Sequence, residues 1–158
     1  MKNTFKRSGA ALISLVLLLV LAVSAGAASS QNVGVKFWKE RSDKESMANS
    51  GIDPDRTATL TRQANGTYTL TLPLKQVSKM GVSGSLTGLT IGDVTYDGTL
   101  TGDFNKATAV LTIKNLPASV LTGSDVNKSV LVTCNIQMDL QVLGEINTSA
   151  RMCIWNQK

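Results

Sequence analysis

Apolar and polar residues alternate along the C-terminal part of this chain, from Val130 to Val142. The apolar face has a residue at every second position: Val130, Val132, Cys134, Ile136, Met138, Leu140 and Val142. Polar residues occupy most of the positions between them: Thr133, Asn135, Gln137, Asp139 and Gln141. A period of two is typical of a β-strand with one buried face and does not suit an amphipathic helix. The pattern therefore predicts a long strand that forms one wall of a core.

Shorter segments with the same period recur between residues 31 and 155. Asn65-Gly66 is a strong hairpin signal, because a type I′ turn needs positive φ at both central positions. Pro73, in the strand after that turn, should face a sheet edge or end the ladder, since proline donates no hydrogen bond to it. Glycines at positions 81, 84, 88 and 92 predict that no long element runs through that stretch. Seven or eight short strands, with no helix longer than two turns, predict an all-β, immunoglobulin-like antiparallel β-sandwich.

Residues 1–27 have the features of an export signal. Three basic side chains precede an apolar stretch at residues 10–23, and Ala25-Gly26-Ala27 offers a small-x-small cleavage site. The alternative is an uncleaved anchor, because the apolar stretch approaches the roughly 18–20 residues that span a bilayer. We predict cleavage, a single domain at residues 28–158 without a membrane span, and a secreted or cell-envelope location.

Charge and composition exclude several functions. The leader holds three of the 16 basic residues, so the rest of the chain has 13 basic against 11 acidic side chains and no clustered basic patch for nucleic acid. The sequence contains no histidine, which excludes Ser-His-Asp and Cys-His catalysis, HExxH zinc sites and histidine-ligated haem. No pair of carboxylates stands out as the acid and base of a glycosidase. We therefore predict a binding protein and not an enzyme.

Cys134 and Cys153 are the two cysteines, and an exported protein permits a disulfide between them. A continuous hairpin centred near Leu143-Gly144 would place them roughly opposite each other. Parity conflicts with this pairing, because Cys134 lies on the apolar face whereas Cys153 falls on the other face of the returning strand. A β-bulge would remove the conflict. The sequence leaves open a disulfide, or one buried and one exposed thiol.

The segment at residues 35–74 is similar to a known family. A strand is followed by a polar loop that ends in Ser46-Met47-Ala48-Asn49, and a second strand and a turn then lead to the strand that begins at Tyr68. In this order and spacing the segment resembles NEAT domains, the haem-binding modules of Gram-positive surface proteins. The similarity returns at residues 107–117 and in the C-terminal hairpin, and covers about two-thirds of residues 28–158.

The resemblance implies an immunoglobulin-like sandwich that holds haem between a short helical lid and the last hairpin. In the family, the first tyrosine of a Y-x-x-x-Y motif on the final strand binds iron, and the second tyrosine supports the first. These two positions fall on Thr148 and Met152. The implied ligand-binding residues are therefore Ser46 and Met47 on the lid, with Thr148 and Met152 on the hairpin. A threonine hydroxyl is a poor iron ligand, whereas a methionine thioether is a known axial ligand.

Each of these residues also has a purely structural interpretation. Met152 can fill an irregular gap in the core, and Met47 can cap the core under a loop. Ser46 can cap the short helix through its hydroxyl group. Arg151 can pair with a haem propionate or lie on an exposed strand face.

The sequence favours haem binding for haem-iron acquisition, with methionine in place of tyrosine as the iron ligand. The expected partner is haem, or a surface protein that carries it. The alternative is a haem-free, protein-binding or adhesive β-sandwich, because the ligand positions are degenerate and the strand faces are rich in threonine. Carbohydrate binding is weaker, since the chain offers two tryptophans and two tyrosines as aromatic platforms.

Overall fold

The computed structural model describes residues 28–79, 82–138 and 144–158. Nine β-strands follow one another in these ranges: β1 (Ser29–Lys39), β2 (Ala58–Arg62), β3 (Tyr68–Pro73), β4 (Val77–Lys79), β5 (Val82–Ile91), β6 (Val94–Thr101), β7 (Val110–Leu116), β8 (Val130–Met138) and β9 (Glu145–Asn156). The described helices are all short 3₁₀ helices: Met47–Gly51, Phe104–Lys106, Ala118–Val120 and Val126–Lys128. The predicted all-β class is confirmed.

The predicted export signal at residues 1–27 lies outside the described residues. The same is true of Asp139, Leu140, Gln141 and Val142, which the alternating pattern assigned to the C-terminal hairpin. Among the helices that the structure does describe, none has the length and apolar character needed to cross a membrane.

The strands form one antiparallel sheet that closes on itself into a barrel-like sandwich. Their order is β4-β5-β6-β7-β3-β2-β1-β9-β8, and β8 pairs back onto β5. Eight strands therefore make the closed wall, while β4 extends the sheet beside the beginning of β5. The sequence predicted seven or eight strands in a sandwich. The described residues form nine, and the hydrogen-bonded ladder continues around the whole barrel.

The alternating apolar side chains fill the interior of this barrel. The large side chains with no more than 1 % of their surface exposed include Phe37, Leu60, Leu70, Leu72, Leu89, Leu111, Ile113, Met152 and Ile154. Burial of a large apolar side chain contributes about 1.5–3 kcal/mol to stability. A row of threonines crosses the outer face of four neighbouring strands: Thr59, Thr71, Thr112 and Thr99. The predicted separation of apolar and polar faces is confirmed on these strands.

The hairpin between β2 and β3 is confirmed, but its turn differs from the prediction. Five residues, 63–67, join the two strands. Gly66 has a positive φ of 82°, whereas Asn65 does not adopt the left-handed region. The Asn65 side chain instead accepts a hydrogen bond from the backbone N–H of Thr67 at 3.1 Å. Pro73 is the last residue of β3, which agrees with the second of its two predicted positions.

The register between β8 and β9 corrects the prediction for the cysteines. Cys134 pairs with Thr148, and Gln137 pairs with Glu145, so the register is not that of a hairpin centred near Leu143-Gly144. Cys153 therefore lies five positions beyond the partner of Cys134, a distance of about 17 Å along an extended strand. A disulfide requires Cα atoms within about 7 Å. Both thiols are free and both are buried, so neither of the two alternatives that the sequence left open is correct.

Candidate ligand-binding site

A cavity of about 410 Å³ opens at one end of the barrel, beneath the 3₁₀ helix Met47–Gly51. We call this helix the lid. The lid segment lines the cavity with Ser46, Met47, Ala48 and Gly51. The strand ends line it with Val77, Gly84, Ser85, Leu86, Ile136, Met138, Thr148 and Ser149. Exposed Lys39 and Glu40, where β1 ends, provide the charged groups of an otherwise largely apolar lining.

The lid is fixed to β1 through side-chain and backbone hydrogen bonds. The side-chain amide of Asn49 pairs with the backbone of Phe37. Its Oδ1 accepts a hydrogen bond from the N–H of Phe37 at 2.8 Å, and its Nδ2 donates one to the Phe37 carbonyl at 2.7 Å. The N–H of Ser46 donates to the same carbonyl at 2.9 Å. At the other end of the lid, the N–H of Lys75 donates to the Gly51 carbonyl at 2.9 Å. The upper wall of the cavity is therefore pre-formed.

The opposite wall depends on a glycine that faces a methionine. Gly84 of β5 and Met138 of β8 face each other in the β5–β8 pairing that closes the barrel. A Cβ atom at position 84 would lie 2.8 Å from the sulfur of Met138, a distance shorter than van der Waals contact. Glycine at this position therefore leaves room for the Met138 thioether against the wall of the cavity.

Comparisons with known proteins find the same architecture. No family model and no curated protein matches this sequence. Among solved structures, the NEAT5 domain of IsdX2, a B. anthracis hemophore in complex with haem, matches with a TM-score of 0.53 and 12 % sequence identity, over 83 % of this chain and 98 % of that chain. A point mutant of the IsdX2 NEAT5 domain, also in complex with haem, gives the same values. The chain has the NEAT fold.

In this NEAT fold, three of the four residues that the resemblance implied come together. Ser46, Met47 and Thr148 all line the cavity. The Ser46 hydroxyl accepts a hydrogen bond from the N–H of Ala48 at 3.3 Å, so it also caps the lid. The Met47 side chain does not cap the core, because 61 % of its surface is exposed.

Met152 is located elsewhere. It is fully buried in the core and is absent from the lining of the cavity. Its strand partners are Phe37 on β1 and Val130 on β8, and Ala150, also fully buried, lies between it and Thr148 on the same face of β9. Met152 therefore has the structural role that the sequence offered as the alternative to iron ligation.

Arg151 fits neither of its two interpretations. Its Nε donates to the Lys39 carbonyl at 3.1 Å, and one terminal nitrogen donates to the Ser42 carbonyl at 2.9 Å and to Oδ1 of Asp43 at 2.7 Å. The guanidinium group thus holds the loop 40–45, which joins β1 to the lid segment, against the outside of the barrel.

Sequence reasoning did not identify Met138, Ile136 or the β5 residues as part of the site. The alternating sequence pattern did contain a signal for Met138 and Ile136, because both share the apolar face of β8 with Cys134. No local signal existed for Gly84 and Leu86. Their position depends on the pairing of β5 with β8, two strands separated by about forty residues of sequence.

Proposed function

We propose that this protein is a haem-binding module, secreted or associated with the cell envelope, that holds haem between the lid and the β8–β9 hairpin. The observation that supports it is the position of the cavity. It lies between the two elements that the family resemblance named, in a chain with the fold of haem-bound NEAT domains.

The residues around the cavity suit a porphyrin. Its volume of about 410 Å³ falls within the roughly 300–1,000 Å³ of small-molecule and cofactor sites. Leu86, Ile136 and Val77 offer apolar contacts to the ring. Lys39 supplies a cation for the acidic propionates at the exposed side. The cavity can therefore bury the apolar body of haem while its carboxylates stay in water.

Met47 and Met138 bring the only sulfur atoms among the described residues that line the cavity. They replace Met152 as the thioethers available to the iron. A thioether is a soft ligand and favours reduced over oxidised iron. Bound haem would supply the iron that a haem-acquisition system delivers. The role of the protein in this proposal is to enclose and carry the haem.

Titration of the purified protein with haemin, before and after reduction with dithionite, tests the proposal. We expect a saturable Soret change that is lost in Ile136→Trp, because the larger indole at this cavity-lining position fills the cavity. Thr99→Trp, at an exposed threonine on the outer face of β6, is the matched control and should bind haemin normally. Absence of a saturable change in both oxidation states would refute haem binding and favour the haem-free, protein-binding alternative.

A further inference from the structure

We propose that the cavity recognises the porphyrin ring and not the iron, so that iron-free protoporphyrin IX binds as well as haemin does. This inference deepens the proposed function and rests on it. It follows from where the chain places every side chain that is a strong ligand for haem iron, namely histidine, tyrosine and cysteine.

Histidine is absent from the whole sequence, and the chain has two tyrosines. Tyr68 begins β3, where it pairs with Arg62 and Leu116. Tyr96 lies on β6, opposite Leu89. Both tyrosines are half-buried against the core, and neither lines the cavity. No phenolate is therefore available at the site.

The two cysteine thiols are also unavailable. Cys134 lies directly opposite Thr148, but it is fully buried below the cavity, and burial raises the pKa of its thiol to about 12. It therefore stays protonated, and a thiol is a much poorer ligand than a thiolate. The Cys153 side chain lies on the other face of β9, where its thiol is 3.5 Å from the Asp125 carbonyl.

The donors of the described residues that line the cavity bind ferric iron weakly. The Ser46 hydroxyl already serves the backbone of the lid, and Ser85, Thr148 and Ser149 offer neutral hydroxyls. Met47 and Met138 offer thioethers, which suit soft metal ions better than ferric iron. The carboxylate of Glu40 lies on an exposed residue next to Lys39.

Binding energy must then come mainly from the apolar walls and from the propionates. Apolar contacts contribute about 25 cal/mol for each Å² removed from water, and this term is equal for two rings of the same shape. Haemin and protoporphyrin IX have the same ring and the same propionates. Their affinities should therefore differ little, whereas a site built around a strong iron ligand would favour haemin.

The test consists of two titrations of the protein that comprises residues 28–158. Binding of haemin is measured from its Soret band, and binding of protoporphyrin IX is measured from its fluorescence. We expect dissociation constants within about threefold of each other, a difference below 1 kcal/mol. Haemin binding at least about tenfold tighter than protoporphyrin binding would overturn the inference. If neither porphyrin binds, the proposed function itself fails, so the two failures are distinguishable.

Thr148→Tyr provides the positive control, because it places a phenol at the cavity position that corresponds to the iron-binding tyrosine of the family. We expect this variant to bind haemin about tenfold more tightly than the wild type, with a changed absorption spectrum, and to bind protoporphyrin IX unchanged. An equal gain for both porphyrins would contradict the inference, since it would show that shape and not iron ligation limits the wild-type affinity.

Discussion

Thr148 and Met152 share the inward face of β9 but have different surroundings. Thr148 is exposed and lines the cavity, whereas Met152 is buried in the core four residues further along. The period-two pattern identifies the face of each side chain. The point at which the core ends and the cavity begins depends on the register of β9 with its neighbours, which a local pattern does not encode. The position of Met152 in the core could not be read from its own strand.

Met152→Ala should lower the free energy of unfolding by about 2–5 kcal/mol, because truncation leaves a cavity in a close-packed core. The haem absorption spectrum should not change, since this side chain does not reach the ligand cavity. Urea denaturation and a haemin titration measure the two effects. Met152→Leu keeps the volume and should cost less than about 1.5 kcal/mol. A lost Soret change in a stable Met152→Leu variant would contradict this prediction.

The pKa of Cys134 predicts a dependence of stability on alkaline pH. Burial raises this pKa to about 12, from an ordinary value of 9.0. Between these pH values the unfolded chain loses the thiol proton and the folded protein keeps it, so rising pH favours unfolding. The contribution of the Cys134 thiol to the free energy of unfolding is complete below pH 9. Above pH 9 it should decrease by about 1.4 kcal/mol per pH unit.

Urea denaturation of wild type and Cys134→Ala between pH 8 and 10.5 checks this expectation. The variant should be less stable at pH 8, and the difference between the two proteins should shrink as the pH rises. Cys153→Ala serves as the comparison, because it retains the Cys134 thiol. A constant difference between wild type and Cys134→Ala would show that the thiol does not titrate differently in the two states.

The elements β8 and the β2–β3 hairpin were predictable from the sequence, because their signals are local. β5 was not. Its glycines predicted a break, yet one strand runs from Val82 to Ile91. A Cβ atom at position 88 would lie 2.7 Å from the carbonyl oxygen of Tyr96, so this glycine permits close approach of the neighbouring strand. The same holds for the candidate site. Its lid was recognisable from residues 46–49, whereas no local sequence pattern identified its β5 wall.

The loop 40–45 is the element that Arg151 connects to the rest of the barrel. One guanidinium group donates to the Lys39 and Ser42 carbonyls and to the Asp43 carboxylate. The loop leads directly into Ser46, which caps the N-terminus of the lid. Release of this loop should therefore allow the lid to open more often and should shorten the lifetime of a bound porphyrin.

Arg151→Ala should raise the dissociation rate of haem by about tenfold, because hydrogen bonds of this kind contribute about 0.5–1.5 kcal/mol each. Stopped-flow transfer of haem to an excess of apomyoglobin measures the rate. Asn65→Ala is the matched control, since it removes two hydrogen bonds in the β2–β3 turn at the opposite end of the barrel. A dissociation rate that is equal in both variants would restrict Arg151 to a general stabilising role.

The cavity and the start of β1 lie at opposite ends of the barrel. β1 begins at Ser29, which pairs with Arg62, and ends at Lys39, which lines the cavity. Eleven extended residues span about 35 Å. A leader retained as an anchor would thus join the barrel at the end remote from the cavity. Both the secreted and the anchored form would leave the cavity accessible from outside.

Cleavage after Ala27 would leave every residue of β1 in place, because the strand starts at Ser29. We therefore expect the protein secreted by a Gram-positive host to begin at Ala28, with the intact mass of residues 28–158. Ala27→Leu replaces the small residue before the cut and should leave the longer chain in the membrane fraction. Wild-type protein found in that fraction with residues 1–27 still attached would identify the leader as an anchor, with the cavity facing away from the bilayer.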